Sequence, residues 1–415
     1  MGFTIGMGGC THLFTCSSRV TIIQRVLPHY RIPFFRQLRA RLQKGDIDLR
    51  LIYGQELPGT VPRTADLHEP WAQRIDNRYF RVGRKEPVWQ PCLSLVRGSK
   101  LVVIEQSSRL LVNYPLFALR GAKRSKVAFW GHGKNLRSDH TLAWSERVKD
   151  LMLGRVDWWF AYTNLSGDVV AASGYPRSQI TDVQNAIDTS ELRMHLQACS
   201  ENDVQAARTT YGISGELVGL YCGAMYDSKK LPFLIDACIK IKQAVPEFTA
   251  VFIGDGPERQ YVVDAVASHD WMHYVGAKYG RDLAPFYRMS DALLMPGLVG
   301  LAIVDSFVAG VPMFTTDVPL HSPEIAYLEN GVNGIMTEPS VDVFAEAVAN
   351  YLVDKDAQQR FQQGCARSAE RYTIENMVEN FASGVEQCLG RECNRISAHA
   401  KAEEVRMNPH LQGRD

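Results

Sequence analysis

In the second half of the chain, short apolar runs repeatedly end in a glycine or a turn and give way to helical segments. LVGLYCG (217–223) precedes LPFLIDACIKIKQAV (231–245). TAVFIGDGP (249–257), HYVGA (273–277), ALLMPG (292–297) and VPMFTTDV (311–318) follow, with DLAPFYRMSD (282–291) and AIVDSFVAG (302–310) between the later ones. Strands this short and continuously apolar need cover on both faces, so the alternation predicts parallel sheets wrapped by helices. The first half repeats the logic less cleanly. VTIIQRV (20–26) leads into PFFRQLRARLQ (33–43), where Pro33 suits a first helical turn. LRLIYG (49–54), KLVVIEQ (100–106), KVAFWGHG (126–133), WWFAYT (158–163) and ITDVQNAID (180–188) are further strands. A single core stops growing near ~250–300 residues, and this chain has 415. The expected fold class is therefore α/β, with two Rossmann-like domains whose parallel sheets face each other across a cleft. A leader at 1–19 precedes a first domain at 20–200 and a second at 201–372. An amphipathic helix at 373–390 and a flexible tail at 391–415 complete the expected organisation.

Charge is unevenly placed. Residues 1–150 hold 25 Lys and Arg against 11 Asp and Glu, whereas residues 151–415 hold 21 against 34. Seven basic residues and no acid lie between Arg19 and Lys44. A basic first half fits an anionic partner (membrane surface, nucleic acid or phosphorylated lipid) or a solvated face. No apolar run approaches the ~20 residues of a membrane span, and the N-terminus lacks the basic and apolar regions of a signal peptide. Nine scattered cysteines without a CxxC pair read as reduced thiols of a cytoplasmic protein, and no His/Cys set has metal-site spacing.

In open parallel sheets ligands bind beyond the carboxyl ends of the strands, so chemistry is sought there. PGLVGLAIVDSFVAGVP (296–312) places Gly297 and Gly300 at a strand end and opens a helix. The first helical amides, at Gly300, Leu301 and Ala302, lack intrahelical partners and carry the positive end of the helix dipole, which suits a diphosphate. Asp305 follows in an otherwise apolar run; its side chain leans back toward the helix start, where two oxygens could accept from a ribose diol. GAMYDSKK (223–230) offers Gly223 and a cation, Lys229 or Lys230, to the phosphates. In the first half, His132 sits between two glycines in FWGHG, Glu105 ends VVIEQ, and Tyr30 and Arg31 lie in LPHYRIPFF. Asp255 in GDGP is a turn residue. No GxGxxG follows the first strand, and GxxxxGK[ST] and HExxH are absent.

These stretches, in order, resemble the retaining glycosyltransferases of family four, of GT-B fold. The resemblance runs through YCGAMYDSKKLPFLIDA, FIGDGPERQ, HYVGAKYGRDLAPFYRMSDALLMPG, VGLAIVDSFVAGVPMFTTD and PEIAYLENGVNGI, and in the first half through LPHYRIPFF, FWGHG and VQNAID. It implies that the first domain binds an acceptor and the second a nucleotide-sugar. It implies that Lys229 meets phosphate, that the amides near Gly300 and Leu301 hold the diphosphate, that Asp305 binds the ribose and that His132 contacts the donor sugar. It also implies that no metal or cofactor is needed. Two departures stand out. The first acid of the family's Glu-x7-Glu motif falls on Gly297, and an arginine common after the strand-ending glycine falls on Ala224.

The expected function is transfer of a sugar, with retention, from a nucleotide-sugar, UDP-sugar favoured over GDP-sugar. The expected acceptor is a lipid-linked or cell-surface glycan precursor, with the protein peripheral on an anionic membrane and no nucleic acid bound. The alternatives are a non-catalytic nucleotide-sugar-binding protein and a transferase acting on a soluble small molecule or protein. A sugar-nucleotide epimerase finds no supporting carboxylate set.

Overall fold

The computed structural model describes residues 18–57, 59, 64–83, 86–121, 125–133, 156–319 and 321–390. The expected tail and all of the leader except Ser18 and Arg19 lie outside them; those two residues already belong to the first strand.

The first sheet is parallel. β1 (Ser18–Gln24), β2 (Ile47–Tyr53) and β3 (Ala72–Arg74) form one side. A small antiparallel pair, β4 (Arg78–Tyr79) and β5 (Val88–Trp89), stands apart. β6 (Ser99–Glu105), β7 (Lys126–Gly131), β8 (Trp158–Ala161) and β9 (Ile180–Asp182) complete the sheet in the order β3-β2-β1-β6-β7-β8-β9. The second sheet contains β10 (Leu217–Cys222), β11 (Phe248–Ile253), β12 (Met272–Tyr274), β13 (Ala292–Leu294), β14 (Met313–Thr316) and β15 (Gly334–Thr337), ordered β12-β11-β10-β13-β14-β15. Strand order reverses direction between β1 and β6 and between β10 and β13, and crevices open at such switch points. Both faces of each sheet are covered by buried apolar clusters, as continuous apolar strands demand.

Between the sheets, Ser190–Ala198 and Glu201–Tyr211 are helices, the second closed by a capping box at Ser200 and Asp203 and by Gly212. Their Leu196 and Val204 pack in a core of the second sheet. After that sheet, helices Val341–Val353 and Lys355–Arg371 lead to the last helix, Ile374–Cys388. That helix returns to the first sheet. Its Met377, Phe381 and Val385 are buried there, and Phe381 stacks on Phe160 at 4.1 Å.

The basic first segment is partly paired within the protein. In helix Ile32–Gln43, Arg36 lies 3.3 Å from Glu69, and Arg39 pairs with Asp48 and lies over Trp71. Arg41 bonds Glu379 at 2.7 Å and Glu386 at 2.8 Å, both on the last helix. The bonds to these carboxylates raise the guanidinium pKa further. Arg41→Gln should destabilise the protein by about 1–3 kcal/mol, because it takes the guanidinium away from the buried Glu386 carboxylate and from Glu379. A urea midpoint equal to that of the unmodified protein, at equal slope, would show the helix is held by its apolar face alone. Among the described residues no helix is long and apolar enough to cross a membrane.

Candidate functional site

The β10–β13 switch point gathers the residues of the second domain expected at a ligand site. After β10 the chain turns through Gly223 and a 3-10 segment, Asp227–Lys229. The GDGP turn buttresses it: Met225 N–H donates to Asp255 O, and Glu258 N–H donates to Met225 O, both at 2.9 Å. A Cβ on Gly256 would sit 2.2 Å from Met225 O, so only glycine permits this contact. Asp255 itself bonds the next amide, as a turn residue does. Gly223 is different; a Cβ there would make only ordinary contacts, 3.8 Å from Met295 Cε and Tyr221 Oη, so packing at the strand end does not require glycine.

After β13, residues 296–299 run against that turn. Leu298 N–H donates to Ser228 O at 2.7 Å. Lys229 Nζ donates to Leu298 O at 2.5 Å and lies 3.6 Å from Met295 Sδ. The Lys229 side chain is 6% exposed, and burial pulls its pKa down to about 8. Lys230 is exposed and takes φ +59°, a conformation that suits glycine better than lysine. Helix Ala302–Ala309 begins directly after the loop. Among the described residues the amides of Gly300, Leu301 and Ala302 have no intramolecular acceptor, whereas those of Leu298 and Val299 do. A cation and three unpaired N–H groups thus flank one short loop.

Gly297 explains the missing acid. A Cβ at this position would lie 2.3 Å from Ser228 O and 2.5 Å from the Lys229 carbonyl carbon. The two loops pack too closely for any side chain.

Asp305 lies in the first turn of the helix and has no hydrogen bond or ion pair among the described residues. Burial raises its pKa to about 7. Cys222, at the end of β10, is pushed up to about 12 by burial; the Asp305 carboxylate adds to the rise and Lys229 opposes it. Asp305 and Lys229 therefore act on the same strand end. A carboxyl group whose folded pKa is raised costs stability as pH climbs from its unfolded value of ~3.9 through about 7. Asp305→Asn should therefore raise stability at pH 8 by about 1–3 kcal/mol. The same change should weaken UDP binding ~10-fold or more, since an amide offers one acceptor where the carboxylate offers two. Calorimetry with UDP and a thermal melt check both signs; equal affinity would remove Asp305 from the site.

In the first domain the expected residues separate. His132 follows β7, is exposed, and meets the Tyr162 ring edge-on at 4.4 Å. Its loop is held by Gln106, whose side chain donates to Gly133 O (2.8 Å) and accepts from Gly133 N–H (2.9 Å). Glu105 is spent internally, because Oε1 accepts the Arg25 amide at 2.5 Å and burial raises its pKa. Tyr30 is half exposed beside the Arg31 guanidinium. Arg31, expected at the substrate, is 6% exposed. It lies against Trp130 and Tyr162 and donates to Asn185 Oδ1 at 2.6 Å. Asn185 Nδ2 donates in turn to Glu324, so Arg31 is a strut between the two domains. Its local sequence carries no sign of this, because its partners come from distant parts of the chain. Gln106 and the residues that brace the loop after β13, Thr316 and His321, had no periodicity or motif to mark them. No group of His, Cys, Asp and Glu able to hold a metal occurs among the described residues.

Comparison with known proteins bears on the family and the fold. Residues 216–354 match the family model of glycosyl transferases group 1. The GtfA subunit of a UDP-N-acetylglucosamine–peptide N-acetylglucosaminyltransferase from Streptococcus agalactiae is 24% identical over 174 residues, 39% of this chain and 34% of that protein. The match thus spans about a third of that relative's length. An alpha-D-kanosaminyltransferase of Streptomyces kanamyceticus is 22% identical over 68% of this chain and 69% of its own. Anabaena HepE, solved in complex with UDP, superposes with a TM-score of 0.64 at 14% identity, covering 89% of this chain and 100% of that one. The chain therefore has the GT-B fold, and its second domain carries the glycosyl transferases group 1 match over residues 216–354.

Proposed function

We propose that the protein is a retaining glycosyltransferase that moves a sugar from a nucleotide-sugar, a UDP-sugar in the first instance, to a glycan acceptor. One observation carries the reading. The buried Lys229 ammonium is bonded to Leu298 O, two residues before three amides that have no acceptor among the described residues. When the bond between the sugar's anomeric carbon and the diphosphate oxygen breaks, negative charge grows on that oxygen. Fixed donors in a water-poor site stabilise such charge most. Asp305 would accept from the ribose hydroxyls, and His132 would meet the sugar from the opposite domain. The UDP held by the Anabaena neighbour favours UDP as the first nucleotide to test.

The acceptor is the less defined partner. Arg31, Arg39 and Arg41 are bonded within the protein, whereas Arg36, 3.3 Å from Glu69, stays 59% exposed, so fewer bases are available to an anionic membrane than the charge count alone suggests. A depression of about 400 Å³ at the ends of β2 and β3, lined by Asp66, His68, Glu69 and Arg74 among others, offers polar groups to glycan hydroxyls. Sedimentation with anionic vesicles at low salt separates a lipid-linked acceptor from a soluble one.

The deciding experiment is titration with UDP and GDP, followed by release of nucleoside diphosphate from the matching sugar donors. Binding with release, accelerated by an acceptor, supports a transferase. Binding without release, with any acceptor, would leave a nucleotide-sugar-binding protein. No binding of either nucleotide would overturn the reading.

A further inference from the structure

The loop between β13 and the helix Ala302–Ala309 is also held by His321. This histidine is 8% exposed and spends both ring nitrogens on backbone. Its Nδ1 accepts the Val299 amide at 3.1 Å, and its Nε2 faces Thr316 O at 2.7 Å. An amide must donate and a carbonyl must accept, so the ring is the neutral tautomer with hydrogen on Nε2. The next residue completes the bracket: Ser322 N–H donates to Val299 O at 3.0 Å. Thr316 Oγ1 donates to Pro296 O at 2.6 Å, which ties the start of the loop to the same strand end. Leu298 is held by Ser228 and Lys229. The peptide groups of 296–299 are thus held by two sets of bonds, whereas the amides of Gly300, Leu301 and Ala302 have no acceptor among the described residues.

We infer that His321 is a positioning residue for the anion site: by accepting from Val299 it sets the peptide plane that aims the three following amides at the ligand. For its binding readout this rests on the nucleotide-sugar reading above; for its structural readout it does not. Burial lowers the ring's pKa, so the neutral form is the one the fold favours. The bond to Thr316 O and the Asp317 carboxylate oppose that shift, and Lys229 reinforces it. Protonation would put a hydrogen on Nδ1 where the Val299 amide already points.

Three substitutions separate the two bonds. Asn places Oδ1 where Nδ1 stands and keeps an acceptor for Val299. Gln reaches the Nε2 position and keeps the donor to Thr316. Ala keeps neither. Hydrogen exchange of the peptide covering 296–302 should quicken at least ~10-fold in His321→Ala and His321→Gln and stay near the unmodified rate in His321→Asn, because one lost hydrogen bond is worth about a factor of ten. UDP affinity should fall ~10-fold in the first two variants and within ~3-fold in the third. Below pH ~6.5, the ordinary histidine pKa, UDP binding by the unmodified protein should weaken faster than binding by His321→Asn. That ratio cancels titration of UDP, Asp305 and Lys229, which both proteins share. Equal exchange in the Ala variant, or rescue by Gln as complete as by Asn, would overturn the inference. If exchange follows the expected order but no protein binds UDP, the loop clamp stands and the nucleotide-sugar reading falls.

Discussion

Lys229→Met should lower turnover at saturating donor by about 100–1000-fold, the range found when one fixed donor to developing negative charge is removed from an active site. Met is the informative replacement. It fills the buried path of the lysine stem and removes only the charge and its hydrogen bonds. The buried ammonium also costs stability. Its folded pKa is about 8 against an ordinary ~10.4, so below pH 8 the unfolded chain holds the proton more readily than the folded one. The Met variant should therefore melt at an equal or higher temperature at pH 7, which excludes misfolding as the cause of its low activity. In the free protein the ammonium discharges as pH rises through about 8, so UDP affinity should decline above that pH and cease to do so in the Met variant. Lys230→Ala, at an exposed position, should change turnover less than ~3-fold. Release of nucleoside diphosphate measures all three proteins. The reverse ranking of Lys229 and Lys230 would move the phosphate contact to Lys230.

Gly297→Glu would restore the acid that glycosyltransferases of the resembled family carry, and it should nonetheless destroy the site. The first atom of any side chain would lie 2.3 Å from Ser228 O and 2.5 Å from the Lys229 carbonyl carbon. Both obstacles are backbone and cannot rotate away. To admit a Cβ the loops must part, which breaks the bond from Leu298 N–H to Ser228 and the bond from Lys229 to Leu298 O. Overpacking costs about 1–3 kcal/mol and each lost bond about 1, so Gly297→Ala should already destabilise by ~2–4 kcal/mol. UDP affinity should drop at least ~10-fold in both variants, because the bond to Leu298 O places the cation. Urea denaturation and calorimetry provide the check. A Gly297→Glu protein of normal stability that gained transfer activity would mean that the loops are not locked together, and that the glycine is an evolutionary loss rather than a packing requirement.

The alternation of strand and helix was legible in the sequence because it is local. Burial on both strand faces leaves continuous apolar runs, and helix starts leave unpaired amides within one turn. Residues 217–318 therefore disclosed both the parallel sheet and the place of the Gly300–Ala302 amides. The spacing of GAMYDSKK left Lys229 and Lys230 open as the cation; the family resemblance favoured Lys229, and the fold separates them as a buried lysine and an exposed one.

Long-range pairing was not legible. An arginine in a helix looks the same whether it faces water or a carboxylate 345 positions away, as Arg41 faces Glu386. The run of bases from Arg19 to Lys44 looked like a surface for an anionic partner, while the fold spends Arg31 on Asn185 and Arg41 on the last helix. That no side chain fits at Gly297 likewise became visible only where the fold brings Ser228 and Lys229 against it. Periodicity and capping are set within about four residues and can be read along a chain. Which charges are neutralised, which glycines are forced and which histidine braces a loop depend on segments that meet only in the folded molecule. For this protein the sequence by itself determined the layered α/β architecture and the helix start at Gly300–Ala302, and the tertiary structure alone decided which side chains stand around that helix start.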